Sequence, residues 1–145
     1  MSIEDIRVEC ENSLYTYAQI MFPNRYFGDL HRDMFMFFEQ SLNGALKGGE
    51  GDNAAALVPR DHQKSFCIAV ACSWAITQFP WFTVTYVSSN PTLSQRQLTV
   101  IKNIFKSEAH RELWPEMLNY EIHPRTKTYE HKPTGTWTIS EIAID

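Results

Sequence analysis

A chain of 145 residues, 43% hydrophobic and 13% aromatic, has the size and composition of a globular domain with a sizeable core, which excludes a disordered segment. It contains no run of about eighteen apolar residues that could span a membrane, and Met1-Ser2-Ile3-Glu4-Asp5 is acidic where an export signal is basic and then apolar. A net charge of -4 argues against bulk electrostatic attachment to nucleic acid, while a local basic patch escapes that sum. An intracellular protein is expected. Cys10, Cys67 and Cys72 have no Cys-x-x-Cys spacing, and Cys67 and Cys72 read as small core residues in a reducing compartment. His31, His62, His110, His123 and His131 show no zinc spacing with them.

In chain order, residues 3–22 read as one helix with Ile6, Leu14, Tyr17, Ala18 and Met21 on roughly one face, ended by Pro23. A turn through Asn24 and Gly28 leads to a second helix, capped by Asp29, in which Leu30, Met34, Phe37, Phe38 and Leu42 recur at helical spacing. Gly44 to Asn53, with Gly48-Gly49 and Gly51, reads as an exposed flexible loop. Ala54–Val58 has the length of a buried parallel strand, although alanine is a poor strand former. After a polar turn, Lys64 or Ser65 to about Thr77 is apolar on nearly every face, which suits an enclosed helix closed by Pro80. Phe82–Val87 is rich in β-branched and aromatic residues and reads as a second strand. It is followed by Ser88-Ser89-Asn90 and by a helix from Pro91 to about Phe105.

Strand, loop, helix, strand, loop, helix is the order of a parallel α/β sheet. Past Pro115, Glu121–Lys132 is charged and could contain an antiparallel strand. Thr136–Ile144 alternates well enough for a further one, with Trp137, Ile139, Ile142 and Ile144 as core candidates.

The chemistry-bearing stretch is Pro59-Arg60-Asp61-His62-Gln63-Lys64-Ser65-Phe66. A phosphate-binding loop needs a strand to hold it, inward amides, a lysine for the outer phosphates and a hydroxyl for Mg²⁺ at a helix start. Ala54–Val58 is the candidate strand, Lys64 the lysine and Ser65 the Mg²⁺ ligand. Val58 and Gln63 stand where the standard loop has glycines, so Gln63 must either accept a costly positive φ or give the loop another shape.

Leu57–Phe66 resembles the deviant phosphate loop of the large terminase subunits of tailed bacteriophages, which is often Pro-Arg-Gly-His-Gly-Lys-Ser. Pro59, Arg60, His62, Lys64 and Ser65 match it, and Asp61 and Gln63 replace glycines. The helix start Tyr26…His31…Phe35, then Val84–Asn90 with Ser94, Gln97 and Ile101, and finally Thr136–Ile142 look like further family segments in the right order.

The resemblance implies an α/β fold, a P-loop NTPase-type parallel sheet with flanking helices, incomplete and preceded by two N-terminal helices. Residues 1–50 would lead into a partial ATPase core at 51–145. It implies ATP and Mg²⁺ as cofactors, with Lys64 on the β/γ phosphates, Ser65 on Mg²⁺ and Arg60 as the cis arginine near the γ-phosphate. His62 would position the loop, and an Asp61 carboxylate beside a triphosphate should repel it unless it turns away or pairs with Arg60. Phe22 and Tyr26 could flank the adenine, or be core aromatics. Ser88, Ser89 and Asn90 could sense phosphate, contact DNA or cap the following helix.

The implied function is Mg-ATP-driven translocation of double-stranded DNA into a procapsid by a homo-oligomeric ring. Its partners would be the portal protein and the small terminase subunit, in the host cytoplasm and transiently at the portal, with a nuclease in the full protein. No aliphatic strand ending in paired acids is found, and Ile142-Ala143-Ile144-Asp145 is a poor substitute, so the chain is expected to be an N-terminal piece inactive on its own. The alternatives are a fragment of another P-loop ATPase or helicase, and a degenerate P-loop interaction module.

Overall fold

The computed structural model describes residues 2–46, 55–60, 62–79, 81–117, 120–122 and 129–131. Helices dominate them. The first begins at Ser2, whose hydroxyl accepts from the Asp5 amide while the Asp5 carboxylate accepts from the Ser2 amide, a reciprocal cap that starts α1 (Ile3–Asn12).

The helix expected over residues 3–22 is two helices. Ser13 adopts extended backbone, φ -144 and ψ 115, and caps the Thr16 amide of α2 (Leu14–Met21). The Leu14 amide is taken by the Glu39 carboxylate at 2.7 Å. A capping serine and an acceptor from another helix thus satisfy the first-turn donors that one continuous helix would have bonded internally.

The next helix, α3 (Asp29–Leu46), contains Asp29 as its first residue rather than as its cap. The Gly28 amide donates instead to His31 Nδ1 at 3.2 Å. Phe27 sits edge-on to His31 and to Phe35, holding this helix start against the core.

The fourth helix, α4 (Lys64–Gln78), is the centre of the molecule, packed against α2, α3 and the later α5. Its apolar residues run around the whole circumference, as in an enclosed helix. Ala69, Ala71, Ser73 and Ala75 are buried and let neighbours approach, while Val70 and Trp74 fill the space between them. Trp74 Nε1 donates to the Cys10 carbonyl at 2.8 Å, tying α4 to the last turns of α1.

Asn90 caps the Thr92 amide and Pro91 opens α5 (Pro91–Lys106), the helix the sequence led us to expect. Ser107 then caps a short helix the sequence reading missed, α6 (Glu108–Leu113). Arg7 fastens α1 to the turn after α6, bonding Glu11 at 3.0 Å and Glu116 at 2.6 Å. Within the charged stretch after Pro115, β1 (Tyr120–Ile122) and β2 (Tyr129–His131) form a short antiparallel pair.

The expected parallel α/β sheet is overturned, since no parallel strand pair occurs among the described residues. Residues 55–59 and 82–88 belong to no helix and pair with no strand among the described residues. In 82–88 alternate side chains are half-buried (Phe82, Val84, Tyr86, Ser88) and exposed (Thr83, Thr85, Val87). β-Branched, alternating sequence favours extended backbone, but a sheet also needs a neighbouring strand to take the amides and carbonyls. The further strand expected at Thr136–Ile144 and the loop at 47–53 lie outside the described residues.

Candidate functional site

The segment from Pro59 to Phe66 is a turn feeding the N-terminus of α4. Pro59 and Arg60 are exposed, and Asp61 lies outside the described residues. His62 Nδ1 donates to the Arg60 carbonyl at 2.8 Å, which closes the turn. Gln63 takes the left-handed conformation, φ 53 and ψ 23, and is the one non-glycine residue with positive φ among those described. Of the two possibilities for this position, the costly backbone is the one adopted. In that conformation Gln63 offers no side-chain cap to α4. The Cys67 amide bonds the Gln63 carbonyl, whereas the amides of Lys64, Ser65 and Phe66 precede the first intrahelical bond.

The side chains beside these amides are fixed in part. Lys64 Nζ donates to the Val58 carbonyl at 2.6 Å, spanning the turn at its base. Burial pushes the Tyr86 phenol above its ordinary pKa, and the nearby Ser65 side chain draws it partly back. Phe66 is half-buried, edge-on to Phe22 at 4.9 Å and stacked on Phe27 at 6.4 Å.

Sequence reasoning missed Arg25. Its guanidinium lies 3.9 Å from the Phe66 ring centroid, and its Nη1 donates to Gln63 Oε1 at 2.7 Å. Nothing local in Pro23-Asn24-Arg25-Tyr26 signals that contact, since it spans 38 positions. Tyr86 was read only as a strand residue; its inward phase in the 82–88 alternation was the available clue. Phe22 packs on Phe66, while Tyr26 is 85% exposed, so the two do not form a matched pair around a base. Ser88 bonds the Asn90 carbonyl and the Ser94 hydroxyl, and Asn90 caps α5.

No family model matches the sequence, and no curated protein and no solved structure matches it.

These findings correct the reading based on the terminase resemblance. A large-terminase ATPase core requires a β-sheet behind its phosphate loop, and the described residues place that loop between helices with an unpaired segment, 55–59, before it. ATPase activity, ATP-driven DNA translocation and the terminase assignment are withdrawn with that sheet. ATP and Mg²⁺ are withdrawn as cofactors too: the sheet behind a phosphate loop is missing among the described residues, which also hold no group of three or more metal-ligating His, Cys, Asp or Glu. Cys10, Cys67 and Cys72 are free thiols whose pKa values burial pushes up to about 11, which makes them poor nucleophiles. No helix among the described residues is long and apolar enough to cross a membrane.

Proposed function

We propose that this protein is a helical binding module that takes the phosphate backbone of double-stranded DNA on the loop from Pro59 to Phe66. The observation that carries this reading is the start of α4: a 15-residue helix with no side-chain cap, opened by Lys64, preceded in the chain by exposed Arg60 and His62, and with Arg25 bonded to the side chain of Gln63. A helix N-terminus offers free N–H groups and the positive end of the helix dipole to an oxyanion, and adjacent cations add attraction. With a net charge of -4 the attraction must be local, which suits a loop contacting a few phosphates rather than a broad basic face. Asp61 is the one acid in this loop sequence and opposes such binding. The portal, the small terminase subunit, a homo-oligomeric ring and the host cytoplasm, expected through the resemblance, form no part of this proposal.

Fluorescence anisotropy of a labelled duplex, titrated at several salt concentrations, tests it. Two or three phosphate contacts should give a log–log salt slope of about -2 to -3, and Arg60→Ala should shrink that slope by about one. Asp61→Asn should tighten binding, and Arg96→Ala, at an exposed position on α5, should leave the slope as it was. An equal loss from Arg60→Ala and Arg96→Ala, or no binding at low salt, would sink the proposal.

A further inference from the structure

Between the end of α2, the start of α4 and the later turns of α5 lies a cavity of about 260 Å³. Met21, Phe22, Phe66, Val100 and Ile104 give it apolar walls. Its polar groups come from Arg25, Asn103 and Ser107, and no carboxylate lines it. The Ser107 hydroxyl already donates to the Ile104 carbonyl at 2.7 Å. Arg25 is therefore the charged group of the cavity.

Arg25 differs from the ion-paired arginines of this molecule. Arg7 pairs with Glu11 and Glu116, Arg32 with Asp29 and Asp33, and Arg111 with Glu108. Among the described residues Arg25 has no carboxylate partner; it rests on the Phe66 ring and makes one neutral side-chain bond, to Gln63. A guanidinium carries five N–H donors in a planar fork that matches a carboxylate, so most of that capacity is open to a ligand. A cation with no counter-ion among the described residues, packed against the Phe66 and Phe22 rings at an apolar cavity, favours a molecule with an oxyanion at one end and a hydrocarbon body at the other. The volume lies below the ~300–1,000 Å³ of sites for drug-sized ligands, which limits the body to about one or two rings.

We propose that this cavity binds a small amphipathic carboxylate, its body against Met21, Val100 and Ile104 and its carboxylate on Arg25. The site does not rest on the DNA reading: Arg60→Ala leaves its walls intact, and Val100→Trp leaves every charge of the loop in place.

The test titrates indole-3-carboxylate and its uncharged counterpart, indole-3-carboxamide, into the full chain, followed by amide and methyl NMR shifts. The carboxylate should bind with shifts centred on Phe22, Phe66, Val100 and Ile104, at least about tenfold tighter than the carboxamide, as expected for one charge-assisted contact. Arg25→Gln should bring carboxylate affinity down to that of the carboxamide and leave the carboxamide unchanged. Val100→Trp, which fills the cavity, should abolish both, with an unchanged fold verified by the remaining NMR shifts. Equal carboxylate affinity in the parent and Arg25→Gln chains would overturn the proposal, as would shifts confined to other residues or no shifts at millimolar ligand.

Discussion

At Gln63 a single backbone angle sets the direction in which α4 leaves the loop. An L-residue at φ 53 places its Cβ close to its own carbonyl, and the bond from Arg25 to its side chain is solvent-exposed and contributes little in compensation. Gln63→Gly should therefore raise stability by about 0.5–1 kcal/mol, and Gln63→Val, β-branched at a left-handed position, should lower it by about 1–2 kcal/mol. Urea unfolding of the two variants reads both signs, and a more stable valine variant would mean that the left-handed conformation is absent in solution. The unusual backbone demand at this position was legible from Gln63 standing where a glycine is ordinary. The partner that steadies it was not, because Arg25 reaches it only through the tertiary fold.

Helices α4 and α5 were expected close to their observed bounds, since an all-apolar run and a capped, proline-initiated amphipathic run are signals contained within each segment. The break at Ser13 and the helix α6 were missed for one reason. Ser13 and Ser107 each stand between two helices, and a serine inside a periodic pattern reads equally well as a tolerated helical residue. Ser107 accepts from the His110 amide at 3.2 Å and donates to the Ile104 carbonyl at 2.7 Å, so it ends α5 and starts α6. Ser107→Ala removes both bonds and should cost about 1 kcal/mol, seen as a lower thermal midpoint with loss of amide-exchange protection confined to 108–113. Uniform loss of protection across the molecule would contradict a local capping role.

Phe82–Val87 has the composition of a strand and does alternate between half-buried and exposed positions, yet it pairs with no strand among the described residues. Composition selects a conformation for the backbone, whereas pairing depends on what the rest of the chain brings alongside. The terminase resemblance supposed a sheet that the sequence motifs alone could not build.

Across the whole molecule, a buried polar thread runs through the helices around α4. Tyr17 donates to the Ser73 hydroxyl at 3.2 Å, Ser73 donates to the Val70 carbonyl at 2.7 Å, and Thr77 donates to the Ser73 carbonyl at 2.8 Å. With its only hydrogen committed, Thr77 accepts from His110 Nε2 at 3.0 Å, so His110 carries its proton on Nε2. Packed edge-on to Phe105 and against Trp114, His110 is almost fully buried, and burial lowers its pKa from 6.5 to about 3.

A folded-state pKa below the unfolded value means that the unfolded chain binds the proton more readily. The contribution of neutral His110 is therefore complete above about pH 6.5 and is lost as pH falls toward about 3. Within that window the slope should reach about 1.4 kcal/mol per pH unit from this group. Chemical denaturation across the window, compared with His110→Gln, measures it; the variant should show a shallower decline, and parallel curves would place the acid sensitivity elsewhere.

By itself the sequence determined the helical segments whose signals are local: Pro91 at the start of α5, the apolar circumference of α4 and the helical run of α3, though in α3 Leu30 and Phe37, expected on its apolar face, are exposed while Phe35 is buried. It also marked Pro59–Phe66 as a turn into a helix with basic side chains around it. Tertiary structure decided that 55–59 and 82–88 pair with no strand among the described residues, that Ser65 comes near Tyr86, and that Arg25 comes to rest on Phe66 beside a cavity. The physical reason is range. Caps and helical periodicity act within about one or two turns of the chain, whereas strand pairing, cavities and ion partners depend on residues brought together from distant positions.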